Sequence, residues 1–170
     1  MNILALPGSL RQQSSSYKIL NLLATMMPAS VSYKIYKGVG NLPHFDDPEE
    51  VPETVMDFRN QLAAADGIII CTPEYAFGVP GSLKNALDWT VGSSEFVNKP
   101  VALITASSSG EKAHASLLFT LNAISANVPE GASLLIPFIR SKFNKEGDVT
   151  DLQMIDDVRN VMHALLKSCA

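Results

Sequence analysis

The sequence has few cysteines and no long apolar run, and each shortage excludes a class of protein. Its only cysteines, Cys71 and Cys169, lie far apart and outside any CxxC pair, which excludes a disulfide framework and a cysteine zinc site. This usage predicts a cytoplasmic protein. No stretch reaches the ~20 apolar residues that a membrane span requires, and the N-terminal segment lacks the basic region of a signal peptide. We therefore expect neither a membrane anchor nor an export signal.

Positive charge is also in short supply. The chain has 13 Lys and Arg residues against 17 Asp and Glu residues, a net charge of −4, and no basic block that could follow a nucleic-acid backbone. Nucleic acid is therefore not an expected partner. With 46% hydrophobic and 18% charged residues, the composition is that of a folded protein with a dense core. The length predicts one domain over residues 1–170.

No motif for a metal or a catalytic nucleophile is present. The histidines, His44, His114 and His163, lack metal-binding spacing such as HExxH, so we expect surface or packing positions for them and predict no metal site. Cys71 lies inside an apolar run and is predicted to belong to the core. A GxSxG elbow is missing as well. We therefore assign no catalytic side chain.

Apolar runs alternate five times with segments of helical periodicity, the pattern of repeated β/α units. The predicted strands cover residues 3–6, 31–36, 67–72, 101–106 and 134–136. The predicted helices cover about 17–27, 55–65, 80–91, 113–128 and a segment from about 151 whose buried face includes Leu152. The third strand shows no polar alternation, which indicates a parallel strand covered by helices on both faces. Ligands of open parallel sheets bind beyond the carboxyl ends of the strands, so the loops there carry the candidate site.

The loop after the first strand, residues 8–16 (GSLRQQSSS), has the composition of a phosphate site. Hydroxyls and backbone N–H groups at a helix N-terminus donate to phosphate oxygens, and Arg11 adds a charge-assisted pair. The plainer interpretation is that Ser14 or Ser15 only caps the helix. Capping does not explain Arg11, because a cation at a helix N-terminus opposes the dipole unless an anion lies beside it. The loop therefore favours a phosphate, although without GxxxxGK[ST] or GxGxxG a nucleoside triphosphate or Rossmann dinucleotide is disfavoured.

The segment after the third strand, residues 73–89 (PEYAFGVPGSLKNALDW), carries a second motif. Together with GSLR at 8–11 and LPHF at 42–45, it resembles the NADPH-dependent FMN reductase family of flavodoxin-like proteins, over the chain from Met1 to about Ile136. The resemblance implies a three-layer α/β sandwich with a five-stranded parallel sheet of order 2-1-3-4-5. FMN is then expected at the switch point between strands one and three.

The resemblance also assigns candidate FMN ligands. Side chains matching the family's phosphate loop are Ser9, Arg11, Ser14 and Ser16, with Ser15 beside them as a further candidate. Residues whose backbone is expected to meet the isoalloxazine ring are Pro73, Glu74, Tyr75 and Ala76. Residues whose backbone is expected to donate to the pyrimidine edge of the flavin are Ser107, Ser108 and Gly110.

Some of these positions depart from the family's pattern or have a plainer explanation. Ser16 and Ala76 stand where many members have Asn, and Ser109 precedes Gly110 where many have a glycine pair. The spacing from Ser108 to Glu111 is also that of a capping box, so capping alone is expected of Glu111. Lys84, near the first turn of its helix, opposes the dipole, which predicts a partner outside that helix.

The resemblance implies an FMN-dependent oxidoreductase that takes electrons from NADPH or NADH and passes them to a small acceptor, without a catalytic acid or base side chain. A quinone, an azo compound, a metal oxyanion and free flavin are all open as the acceptor. Two other classes are open as well: a flavodoxin-like electron carrier, and a non-catalytic flavin-binding or regulatory member. We expect a homodimer or homotetramer, with the irregular loop 37–52 and the helix end near Trp89 at the contact.

Overall fold

A computed structural model describes residues 1–170 as five strands alternating with helices. The strands are β1 (Asn2–Pro7), β2 (Ser32–Ile35), β3 (Gly67–Thr72), β4 (Val101–Ala106) and β5 (Ser133–Ile136). The α-helices are α1 (Ser15–Met26), α2 (Glu53–Ala64), α3 (Gly81–Asp88), α4 (Glu111–Ala123) and α5 (Leu152–Ser168). Short 3-10 turns cover Val39–Asn41 and Ile139–Lys142. The five predicted β/α units are therefore all present.

The strands form one parallel sheet in the order β2-β1-β3-β4-β5, as predicted. Ile3 pairs with Gly67 across β1 and β3, and Ile68 pairs with Val101 across β3 and β4. Because all strands run the same way, their carboxyl ends meet at one edge of the sheet. The chain reverses its direction of winding between β1 and β3, where a crevice opens between the loops.

The central strand β3 divides the core into two apolar clusters. Ile69 and Cys71 pack in the cluster that contains the buried faces of α1 and α5. Ile68 and Ile70 pack in the cluster that contains the buried faces of α2, α3 and α4. Every residue of β3 and β4 is buried, which confirms the prediction of parallel strands covered by helices on both faces.

The structure differs from the sequence prediction most in the end of α4 and in the first residue of the buried face of α5. The predicted helix 113–128 ends at Ala123, and Ser125 just beyond it has a positive φ of 60°. Leu152 was expected on the buried face of α5 but is 76% exposed. Asp151 caps that helix by accepting a hydrogen bond from the Met154 N–H at 2.8 Å, so the inward face begins only at Met154.

The LPHF segment is fastened to the end of α3. The indole Nε1 of Trp89 donates to the Pro43 carbonyl at 2.8 Å, and the Asn85 amide donates to the same carbonyl at 2.9 Å. Phe45 donates its N–H to Asn85 Oδ1 and meets the Trp89 ring edge-on, with centroids 5.1 Å apart. Leu42 is buried within the chain. Part of the long loop 37–52 is therefore covered without a partner subunit.

Two polar residues in this fold have partners of their own. Lys84 Nζ lies 2.5 Å from Asp88 Oδ1, one turn along α3, so it has a partner on its own helix, while a partner from outside that helix stays a prediction. His114 bonds through its ring nitrogens to Thr105 Oγ1 at 2.9 Å and Ser133 Oγ at 3.0 Å, and burial lowers its pKa. No helix has the length and apolar character needed to cross a membrane.

Candidate functional site

A cavity of about 220 Å³ opens at the carboxyl edge of the sheet. The residues that line it are Arg11, Ser14, Ser15, Ser16, Pro73, Glu74, Tyr75, Ala106, Ser107, Ser108, Ile139 and Arg140. Nine of the twelve predicted site residues are among them. A larger cavity, about 1050 Å³, lies against the edge strand β2 and contains none of the predicted residues. The larger cavity and the predicted site are therefore on different surfaces of the protein.

Three predicted residues lie just outside that lining but adjoin it. Ser9 is buried, and its hydroxyl lies 3.3 Å from the Tyr75 hydroxyl. Ala76 follows Tyr75 in an exposed turn. Gly110 donates its N–H to the Glu74 carboxylate at 3.2 Å. The structure thus brings the three predicted loops together.

Local contacts shape the loop after β1. Ser14 caps α1, because its Oγ accepts a hydrogen bond from the Tyr17 N–H at 3.3 Å. Ser9 Oγ accepts one from the Arg11 N–H, also at 3.3 Å. Gly8 permits the loop to pass the end of β3, since a Cβ there would lie 2.1 Å from Thr72 Oγ1 and 2.7 Å from Thr72 Cα.

This loop leaves several donors without a partner in the chain. The N–H groups of Ser15 and Ser16, in the first turn of α1, make no hydrogen bond within the protein. Ser16 Oγ is fully buried and has no hydrogen-bond partner. Burial raises the pKa of the nearby Cys71 thiol to about 12, and the proximity of Ser16 Oγ opposes this rise. The hydroxyl and the thiol are nevertheless not in hydrogen-bond geometry. Because buried polar atoms are nearly always paired, these donors fit an anionic ligand at the start of α1.

Two arginines line the cavity, one of which the sequence did not single out. Arg11 and Arg140 form no ion pair within the chain. Arg140 lies in the turn after β5, and this turn is fastened to the loop after β4: the Phe138 N–H donates to Ser108 O at 3.2 Å and the Ile139 N–H to Ser107 O at 3.0 Å. In the sequence, Arg140 was marked only by its position in the loop that follows the fifth strand. The left-handed Phe138, with φ of 52°, sets the direction of this turn and cannot be read from composition.

The turn after β3 closes tightly on itself. Tyr75 and Gly78 exchange backbone hydrogen bonds of 3.0 and 2.9 Å, and the two residues between them have positive φ, 49° at Ala76 and 59° at Phe77. This is the geometry of a type I′ turn, which usually takes Asn and Gly. The N–H groups of Glu74 and Ala76 make no hydrogen bond within the chain. They are left to donate to a ligand.

The start of α4 is built differently from the predicted capping box. Gly110 precedes the helix in a left-handed conformation, and no side chain from its own loop caps it. The Glu74 carboxylate instead accepts hydrogen bonds from the Gly110, Lys112 and Ala113 N–H groups at the start of α4. The prediction of a Ser108–Glu111 box is therefore wrong. The Ser107 and Gly110 N–H groups are both engaged, the former with Ile136 O at 3.2 Å, so Ser108 and Ser109 supply the free N–H groups of this loop.

The order of the parallel sheet and the donor-rich loop at its switch point define a flavodoxin-like α/β protein. The chain belongs to the NADPH-dependent FMN reductase family, whose model matches residues 1–140. The predicted FMN-dependent oxidoreductase with NAD(P)H as electron donor is thereby confirmed.

Relatives with assigned activities agree with this membership. A quinone reductase of Escherichia coli strain K12 is 32% identical, with 96% of this chain and 93% of the relative covered. The NADH:(hydroxy)cinnamate reductase subunit CrdA of Vibrio ruber is 30% identical over 159 residues, covering 89% of this chain and 78% of the relative. Among solved structures, the flavoenzyme NAD(P)H:(acceptor) oxidoreductase FerB from Paracoccus denitrificans matches with a TM-score of 0.79 at 23% identity, covering 99% of this chain and 96% of that chain. The last similarity concerns the fold alone.

Proposed function

We propose that residues 1–170 form one FMN-binding domain that reduces a small planar acceptor, a quinone in the first place, at the expense of NAD(P)H. The observation that carries the proposal is the buried, unpartnered Ser16 hydroxyl beside the free N–H groups at the start of α1. FMN, when bound, would supply the redox chemistry that links the nicotinamide to the acceptor. The role of the protein is to bind FMN and to orient it toward the nicotinamide and the acceptor.

The phosphate loop, residues 8–16, is proposed to hold the FMN phosphate. The hydroxyls of Ser9, Ser14, Ser15 and Ser16 and the first N–H groups of α1 are donors, and the helix dipole favours an anion there. Arg11 balances the phosphate charge through a charge-assisted pair. The first turn of α1 has no acidic residue of its own that would repel the anion.

The turn after β3 and the loop after β4 are proposed to hold the isoalloxazine ring. Pro73, Glu74, Tyr75 and Ala76 lie on one side, with free N–H groups at Glu74 and Ala76. On the other side are Ser107, Ser108 and Gly110, where the Ser108 N–H is free to donate. Arg140 adds a second cation to the cavity. None of these groups has to transfer a proton.

A planar acceptor fits the rim of this site. Tyr75, Phe77 and Phe138, in two of the loops around the site, are 47%, 78% and 72% exposed. Exposed aromatic rings offer flat surfaces for a flat substrate. The relatives named for quinone reduction favour a quinone over an azo compound, a metal oxyanion or free flavin.

Steady-state kinetics test the proposal. The purified protein should contain one FMN per chain and oxidise NADPH or NADH with a quinone. Because donor and acceptor use the same open face in turn, double-reciprocal plots should give parallel lines. Intersecting lines would contradict the shared site, and a colourless protein that binds no added FMN would overturn the proposal.

Assembly and location are part of the same proposal. We expect a homodimer or homotetramer through the loop 37–52 and the end of α3, where Phe45 and Val91 are 38% and 63% exposed. Sedimentation at micromolar concentration should show a mass above that of one chain, and a fully active monomer would refute this. A cytoplasmic location agrees with two free cysteines and is tested by cell fractionation.

A further inference from the structure

The side chain of Glu74 connects two loops that are far apart in sequence. One carboxylate oxygen, Oε1, accepts a hydrogen bond from the Gly110 N–H at 3.2 Å. The other, Oε2, accepts from the Lys112 and Ala113 N–H groups, both at 3.0 Å. A half-buried carboxylate after β3 thus caps a helix that begins 37 residues later.

Helix α4 depends on this distant cap because its own loop supplies none. Gly110, at the N-cap position, has no side chain and a φ of 96°. A side chain at this φ would be strained, and its Cβ would lie 2.8 Å from Leu135 Cδ1, so a residue able to cap is disfavoured there. The hydroxyls of Ser108 and Ser109 make no hydrogen bond to α4. Glu74 therefore supplies the cap that Ser, Thr or Asp usually provides.

The same contact fixes the spacing of the ring loops, residues 73–78 and 107–113. Glu74 stands at the turn after β3, where its own N–H and that of Ala76 have no partner, and its carboxylate fastens the start of α4 to that turn. It also withdraws the Gly110, Lys112 and Ala113 N–H groups from any other acceptor. On the α4 side of the site, the N–H groups of Ser108, Ser109 and Glu111 keep no partner in the chain and stay available to a ligand.

The carboxylate also changes the electrostatic sign of this end of α4. A helix N-terminus carries roughly half a positive charge, which by itself would favour electrons on a nearby ligand. Glu74 adds a full negative charge directly on the first N–H groups. The net charge at this point becomes negative, which disfavours added electrons.

We propose that Glu74 is a positioning residue of the flavin site: it sets the spacing of the ring loops and lowers the reduction potential of bound FMN. The inference rests on the proposed function, because it places the isoalloxazine between these loops. No proton transfer through Glu74 is involved.

The full-length protein is tested as Glu74→Gln, Glu74→Ala and the control Glu111→Gln. The control removes the same charge from the first residue of α4, but Glu111 makes no side-chain hydrogen bond. Three quantities are measured: exchange of the Lys112 and Ala113 amides with and without FMN, the FMN dissociation constant, and the midpoint potential of bound FMN.

For Glu74→Ala we expect faster amide exchange, an FMN dissociation constant raised about tenfold, as for loss of one charge-assisted hydrogen bond, and a more positive potential. In Glu74→Gln the side-chain oxygen can still accept, so affinity should recover in part while the potential stays shifted. Glu111→Gln should leave all three near the parent values.

Unchanged exchange and potential in both Glu74 variants would overturn the inference, as would an equal potential shift in Glu111→Gln. If Glu74→Ala does not fold, Glu74→Gln still tests the effect of the Glu74 charge on the FMN potential separately from its effect on the spacing of the ring loops. A parent protein that binds no FMN would refute the proposed function instead, and the exchange rates of the apoprotein would still decide whether Glu74 holds α4.

Discussion

In the phosphate loop the site residues are held mainly by neighbours in sequence, whereas the ring loops are held by contacts across 30 or more positions. Ser14 caps α1 three residues ahead, and Ser9 accepts from Arg11 two residues on. Glu74, by contrast, reaches the start of α4, and the turn at Phe138 and Ile139 reaches Ser107 and Ser108. The phosphate loop, held by local contacts, should tolerate substitutions elsewhere in the chain. Loss of the Glu74 carboxylate alone, by contrast, should loosen the ring loops.

Gly8→Ala should have the largest effect, because it disturbs the close passage of the phosphate loop along the end of β3. Its Cβ would lie 2.7 Å from Thr72 Cα, which is backbone and cannot move aside. We expect a loss of about 3 kcal/mol in the free energy of unfolding, at the upper end of overpacking costs. Urea titration measures it.

Gly81→Ala is the matched control, since a Cβ at the start of α3 meets nothing within 4 Å. This change should leave stability equal or raise it by about 0.5–1 kcal/mol. Equal stabilities for the Gly8 and Gly81 variants would show that the phosphate loop does not need close passage along β3.

Arg11→Ala tests the charge of the phosphate loop. FMN binding should weaken by about 1.5–3 kcal/mol, the scale of a hydrogen bond to a charged group. Riboflavin, which lacks the phosphate, should bind parent and variant equally. Fluorescence titration gives both constants, with Arg159→Ala on α5 as a control whose guanidinium is paired with Asp156. A matching loss of riboflavin affinity would argue against a phosphate contact.

Ser16→Ala separates ligand binding from folding. Its hydroxyl is buried without a partner, so removal should leave the free energy of unfolding of the apoprotein unchanged or raise it by about 1 kcal/mol. FMN affinity should fall by about 1.5 kcal/mol if the hydroxyl binds phosphate, the lower end for a hydrogen bond to a charged group. Ser14→Ala should instead lower stability by about 1 kcal/mol, because Ser14 caps α1. A loss of stability in both variants would mean that Ser16 has a structural role.

Ala76→Gly should have the smallest effect and sharpens the description of the ring loops. Ala76 has a φ of 49°, where Cβ is strained, so glycine should raise stability by about 0.5 kcal/mol after its greater entropy in the unfolded chain is offset. Ala24→Gly, inside α1, should lower stability by about 1 kcal/mol. Urea titration measures the free energy of unfolding of both variants. A loss of stability in both would mean that the turn is not strained.

The sequence by itself determined the architecture and the local structure of the loop after β1. Apolar runs without alternation predicted buried parallel strands, helical periodicity predicted the covering helices, and the strand-end rule located the loops. The cap at Ser14 follows from the serines just ahead of a periodic segment. These signals are readable because each depends on residues only a few positions apart.

The tertiary structure alone decided how the ring loops are held and which further residues reach the cavity. The sequence predicted a local capping box at Ser108 and Glu111, but the cap is Glu74, since a left-handed Gly110 removes the local option. Arg140 comes to the cavity because Phe138 adopts a positive φ and the turn bonds to the loop after β4. Such partners are separated by tens of residues, and their meeting depends on strand order and loop direction, which no local pattern of residues encodes.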